Sequence, residues 1–248
     1  MSRQVTILPG LDSDEQDAGT IEQKFLFETA DKDLLLDWLE FHLVRDSKYY
    51  HGPIISLYYD TPALRFYGEV RNGDYLKTKV RLRWYQSVFP PEQRTADCFL
   101  EIKQKFGARR HKRRQPVTLE TSCLSGDLFS HPAIRAMPEC MPRLILLAHG
   151  ILVPLLVVEY ERFRFIDPHS GSRVALDSRI TCSRANPAYL AGAAPVTLPA
   201  GVLEVKGARD TLPACLGPMQ RHLRKRSFSK YARCCELLIG SSPIRRAV

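Results

Sequence analysis

The sequence predicts an α+β protein whose strands form a β-barrel, with helices packed outside and a polar, basic interior. Three observations predict it. The run LKTKVRLRWY, residues 76–85, alternates Lys77, Lys79, Arg81 and Arg83 with Leu76, Thr78, Val80, Leu82 and Trp84, and successive side chains of a strand point to opposite faces. The pattern recurs: Glu101, Lys103 and Lys105 oppose Leu100 and Ile102, Tyr160, Arg162 and Arg164 share a face, and Glu204 and Lys206 oppose Leu203 and Val205. Finally, several strands sharing one cationic face repel across a ladder unless a polyanion or interleaved carboxylates compensate. The charged face therefore lines a water-filled channel, and the chain reads as an anion-binding β protein.

Each element follows from local signals. A strand is expected at 21–27, then a helix at 32–45, where Leu35, Trp38, Leu39 and His42 share a face and Asp31 caps the start. A strand at 56–60 runs into Thr61 and Pro62, which suits the first turn of a short helix. Strands follow at 75–85, 97–106 and 112–119, the last two as a hairpin around Gly107. Residues 120–150 read as helical and irregular. Strands at 153–166, 172–182 and 201–207 and helical segments at 212–224 and 229–239 complete the chain. The organisation is a flexible N-terminal tail (1–20), one domain (21–240) and a C-terminal tail (241–248).

At 248 residues and 44% hydrophobic content the chain can bury one substantial core. Its net charge of +9 favours acidic partners. Seven cysteines without paired CxxC spacing read as reduced thiols of a cytoplasmic protein. Seven scattered histidines, with neither HxH nor HExxH, argue against a zinc site. The N-terminus lacks the apolar stretch of a signal peptide. The most hydrophobic segment, 144–158, is too short to span a bilayer, so no transmembrane segment is expected. An outer-membrane barrel is excluded because helices interrupt the strands and aromatic girdles are missing. The basic run at 109–114 suits steering of a polyanion, and without aromatic interleaving no nucleic-acid partner is expected.

The order Glu22-Gln23-Lys24-Phe25, Tyr59-Asp60-Thr61-Pro62, Lys79-Val80-Arg81-Leu82-Arg83, Glu101-Ile102-Lys103, Tyr160-Glu161-Arg162, Arg173-Val174-Ala175-Leu176-Asp177, Val202-Leu203-Glu204-Val205-Lys206 and Phe228-Ser229-Lys230-Tyr231 resembles the VTC domain. That is the polyphosphate polymerase branch of the triphosphate tunnel metalloenzyme superfamily, and the resemblance runs from about residue 20 to 239. It implies an antiparallel β-barrel tunnel, the triphosphate tunnel fold. It further implies that Lys24, Arg81, Arg83, Lys103, Lys112, Tyr160, Arg162, Arg173 and Lys230 act on phosphate. Arg81, Arg83, Lys103, Arg162, Arg173 and Ser229 would hold the nucleotide, and Glu204 a Mn²⁺ or Mg²⁺ ion. Lys79 shares the face of the two arginines as a weaker assignment. Asp177 reads as a charge balance. The sequence departs from the family in two places: Thr20 stands where the ExExK signature has a carboxylate, and Ser227 where a lysine is usual, with Arg226 one place off.

The activity so implied is a polyphosphate polymerase that transfers the γ-phosphate of ATP to a growing chain, with a metal ion. The alternatives are a metal-dependent triphosphatase and a non-catalytic receptor for polyphosphate or inositol phosphates. ATP and polyphosphate are the expected ligands, and a separate membrane subunit is a possible partner.

Overall fold

The structure, a computed structural model, describes residues 5–7, 15–16, 20–107, 109–140, 150–192 and 194–240. Its strands are β1 (Val5–Ile7), β2 (Glu15–Gln16), β3 (Ile21–Glu28), β4 (Val44–Arg45), β5 (His51–Asp60), β6 (Leu76–Trp84), β7 (Thr95–Phe106), β8 (Arg109–Glu120), β9 (Val153–Ile166), β10 (Arg173–Ala185), β11 (Val196–Thr197), β12 (Ala200–Gly207) and β13 (Arg224–Lys225). The helices are α1 (Lys32–His42), α2 (Arg65–Arg71), α3 (Ser122–Ser125), α4 (Pro132–Ala136) and α5 (Lys230–Gly240). Every strand pairing is antiparallel, in the order β1-β8-β7-β6-β5-β9-β10-β12-β3-β13, with β11 on β10, β2 on β8 and β4 on β9.

The ladder is open, which corrects the expected closed barrel: no pairing joins β8 to β3 among the described residues. The sheet nevertheless curls far enough for side chains from its two ends to meet. Glu22 on β3 pairs with Lys103 on β7 at 3.2 Å and Arg110 on β8 at 2.9 Å. Register shifts between Ser178 and Thr181, between Cys182 and Arg184, and between Tyr58 and Tyr59 supply bends of the kind that bulges introduce. Ion pairs thus join the two ends of the sheet where a barrel would have backbone hydrogen bonds.

Alternation places the other face in contact with the helices. Val80, Leu82, Leu100, Ile102, Val117 and Leu119 pack with Cys123, Leu124, Ile134 and Met137 around α3 and α4. Leu155, Val158, Ile180 and Val202 pack against Tyr231, Cys234, Cys235 and Leu238 of α5. Phe25, Phe27, Val174, Leu176, Leu203 and Val205 pack against Leu35 and Leu39 of α1. Burying a side chain such as Leu82 or Leu100 contributes about 1.5–3 kcal/mol. Gly201 sits where β12 crosses the Phe27 ring, and a Cβ there would come within 2.0 Å of it.

Several boundaries moved. Helix α1 stops at His42, because Val44 and Arg45 pair with Ile166 and Phe165 of β9. Asp31 does not cap it; its carboxylate meets His222 Nδ1 at 3.1 Å. Pro62 precedes the short helix α2, whose start is set by Asp60: its buried carboxylate accepts from the backbone N–H of Thr61, Phe66 and Tyr67. Strand β8 begins at Arg109, so Arg110 belongs to the sheet. The segment 212–224 holds two 3₁₀ turns, at Ala214–Leu216 and Gln220–His222. Within the first twenty residues, expected as a tail, β1 and β2 pair with β8. The helical part of 144–158 and the tail 241–248 lie outside the described residues, apart from the strand from Val153.

Candidate functional site

The concave face of the sheet bounds a cavity of about 1150 Å³. Thirteen lysine and arginine side chains line it against four carboxylates, Asp46, Asp97, Glu101 and Glu204, among the described residues. Every residue singled out from the sequence as a site residue lies on this lining: Lys24, Arg81, Arg83, Lys103, Lys112, Tyr160, Arg162, Arg173, Glu204, Ser229 and Lys230. They come from β3, β6, β7, β8, β9, β10, β12 and the start of α5.

One group centres on Glu101. Arg81 reaches its Oε2 at 2.6 Å, Arg83 at 3.8 Å, and Arg114 approaches Oε1 at 3.4 Å. Arg83 also donates to Ser56 Oγ (3.1 Å) and to the Tyr160 hydroxyl (3.2 Å), and Arg81 to the Tyr58 hydroxyl (3.3 Å). These bonds fix the two guanidinium planes before any ligand arrives, as forks for non-bridging phosphate oxygens require. Burial opposes ionisation of Glu101, but Arg81 and Arg83 hold its carboxyl far below the usual range.

A second group centres on Asp177, which has no exposed side-chain surface. Arg162 grips it with Nε at 2.5 Å and Nη2 at 2.7 Å, and Lys230 Nζ donates to Oδ2 at 2.5 Å. Asp177 therefore aims the cations that the sequence had it only balance. Lys230 also lies 4.6 Å from the centre of the Tyr160 ring. Ser229 accepts the N–H of Ala232 at 3.3 Å, so its hydroxyl caps α5 and sets the entry of Lys230 into the cavity. Arg173 lines the cavity opposite Lys206 in the ladder. Arg226 is exposed and away from the lining, and its backbone N–H donates to the Lys24 carbonyl at 3.0 Å.

Glu22 forms the third group and was missed as a functional residue. Among the described residues four cations meet its carboxylate: Lys24 at 2.9 Å, Arg110 at 2.9 Å, Lys103 at 3.2 Å and Lys206 at 3.7 Å. Burial and the nearby Glu204 push its pKa up, yet Lys24, Lys103 and Lys206 bring it down to about 2. The period-two spacing of Glu22 with Lys24 was the signal that could have found it.

Glu204 fits a hard divalent cation in one way. It faces the cavity, stays ionised because Lys24, Lys206 and Arg162 outweigh its burial, and among the described residues makes long ion pairs, 3.3 Å to Lys206 and 3.4 Å to Arg162. No cluster of three or more His, Cys, Asp or Glu that could hold a metal ion occurs among the described residues. One carboxylate completed by ligand phosphate oxygens is the arrangement that Mg²⁺ commonly adopts.

Lys79, kept in reserve on the sequence, is the exceptional cation. It lines the cavity with no ion pair among the described residues, and burial followed by Lys24, Lys103 and Arg81 pulls it down to about 7, against the pull of Glu22. Lys103 falls to about 8 from burial, Lys206 and Lys24, against the pull of Glu22. The folded state thus disfavours the charged form of Lys79, so this group adds stability as pH climbs from about 7 towards 10.5. An anion beside it restores the charge. Inorganic triphosphate titrated at about pH 8 is therefore expected to bind with proton uptake and more weakly as pH rises. Calorimetry in buffers of different ionisation enthalpy reads this directly; buffer-independent heat would show Lys79 already charged.

A curled antiparallel sheet thus converges guanidinium and ammonium groups on its concave face. The VTC domain model matches residues 19–239, and the chain belongs to that family. A search among curated proteins returns no match. Two solved structures are similar: a candidate adenylate cyclase from Vibrio parahaemolyticus (14% identity, 87% of this chain and 98% of that one, TM-score 0.44) and another from Bacillus halodurans (14%, 77% and 83%, TM-score 0.45). Among the described residues no helix is long and apolar enough to cross a membrane.

Proposed function

We propose that this chain is a metal-dependent polyphosphate polymerase that moves the γ-phosphoryl group of ATP onto a growing chain inside a basic tunnel. The observation that carries the reading is the convergence of the eleven site residues, from seven strands and one helix, on a single cavity. Arg81, Arg83, Lys103, Arg162 and Arg173 hold the triphosphate. Lys24, Lys112 and Lys230 hold the terminal phosphate of the acceptor. An acceptor oxygen forms the new bond to the γ-phosphorus while the bond to the β,γ-bridging oxygen breaks, and ADP leaves with that electron pair. The acceptor is already anionic, so no general base is needed. Phosphoryl transfer passes through a loose transition state, and fixed cations supply most of what such a reaction asks of a protein. A divalent ion on Glu204 would add charge neutralisation at the phosphate oxygens.

Purified protein given ATP and Mn²⁺ is expected to form acid-labile polymer longer than triphosphate, and Glu204→Gln to abolish this synthesis. Inorganic phosphate released without chain growth would replace the reading with a triphosphatase. Tight binding without turnover, unaffected by Glu204→Ala, would replace it with a receptor.

A further inference from the structure

The cations of β6, β7 and β8 continue past the cavity. Lys77 stands opposite Lys105, and Lys105 opposite Arg110. The next rung inward is Lys79, Lys103 and Lys112. Neighbouring strands lie about 4.8 Å apart and alternate residues about 6.8 Å along each strand. Two rungs of like charge are therefore stacked side by side, a placement that destabilises a sheet unless something compensates. The inner rung belongs to the cavity lining; Lys77, Lys105 and Arg110 lie outside it. Glu22 reaches Arg110 and Lys103, whereas Lys77 and Lys105 have no ion pair among the described residues. Burial, then Arg110 and Lys77, lower the pKa of Lys105.

We infer that the rung of Lys77, Lys105 and Arg110 is a second anion subsite, which holds the part of a linear polyphosphate chain that has already left the cavity. The inference rests on the polymerase reading and adds a direction to it: the chain emerges over the β7–β8 hairpin. The rung is continuous with the cavity through Lys79 and Lys103, so a chain held there passes to it without crossing an uncharged gap. A single-stranded nucleic acid is the lesser fit. Stacking of successive bases needs a run of free aromatic faces, and here Phe106 is engaged edge-on by His111 while one side of the exposed Tyr75 ring lies against Gly107.

The test is equilibrium binding of the full chain to tripolyphosphate, long-chain polyphosphate and single-stranded DNA over a range of salt. Lys77→Gln combined with Lys105→Gln is expected to weaken long-chain binding about tenfold and flatten its salt dependence, since two phosphate contacts are lost. Tripolyphosphate binding stays within about twofold, because its sites lie in the cavity. Lys77→Arg with Lys105→Arg retains long-chain affinity. The neutral variant removes like-charge repulsion, so its thermal midpoint equals or exceeds that of the parent. Unchanged long-chain affinity in the neutral variant, or an equal loss for tripolyphosphate, overturns the subsite; so does DNA binding more tightly than polyphosphate. These are binding measurements and report on the rung even if the parent protein makes no polymer, which would be the separate failure of the polymerase reading.

Discussion

Replacing Asp177 with alanine is expected to destabilise the protein by about 3–5 kcal/mol, the usual cost of removing one partner from a buried ion pair. The carboxylate is fully buried, while Arg162 keeps 16% of its side-chain surface and Lys230 11%. Two cations would be left facing each other with nothing between them. For a chain of this size the thermal midpoint should fall by roughly 6–20 °C. Asp177→Asn should recover part of the loss by keeping the volume and an acceptor. The pH dependence has a definite sign. Burial opposes ionisation, but Arg162 and Lys230 lower the folded pKa below its ordinary 3.8. The stabilisation is therefore complete above that value and is lost as pH falls through the lower, folded one. Thermal denaturation between neutral and strongly acidic pH checks this; equal acid sensitivity of parent and alanine variant would show that the pair contributes little.

Lys230→Ala is expected to have the larger catalytic effect, lowering kcat for polymer synthesis by about 10²–10³-fold, the cost of losing one fixed donor to transition-state charge. Ser229 caps the helix that begins at Lys230, and Asp177 and the Tyr160 ring fix its ammonium. A donor held by two contacts on a capped helix costs little reorganisation when charge shifts in the reaction. ATP affinity should change far less than kcat, because Arg81 and Arg83 are anchored separately on Glu101, Ser56 and Tyr160. Single-turnover kinetics with a parallel binding titration separates the two effects. A variant that loses binding but keeps kcat would assign Lys230 to holding the ground state.

Much of this site was legible because strand alternation is a strict rule. Once Lys77 to Trp84 read as a strand, the facing of Arg81 and Arg83 into one cavity and of Val80 and Leu82 into the core followed. The same logic placed Arg162 beside Tyr160. What alternation cannot give is which strands become neighbours, so the meeting of β3 with β7 and β8 through Glu22 was invisible. Helix boundaries failed for local reasons. In 212–224 the prolines Pro213 and Pro218 and Gly217 break the chain into 3₁₀ turns. Asp31 has the right chemistry for a cap and spends it on His222. Arg110 read as part of a hairpin tip because a basic run carries no mark of where a strand begins.

The Glu22 contacts have a consequence for how a polymer leaves. A barrel laced shut by main-chain bonds would oblige its cargo to be drawn out lengthwise, however long it had grown. Here, among the described residues, Glu22 fastens the rim through Lys103 and Arg110, while Lys24 and Lys206 hold it from its own side. On the proposed polymerase function, a growing product would compete for Lys103 and Arg110, the very groups that close its enclosure. Sideways escape would then become easier as the cargo lengthens.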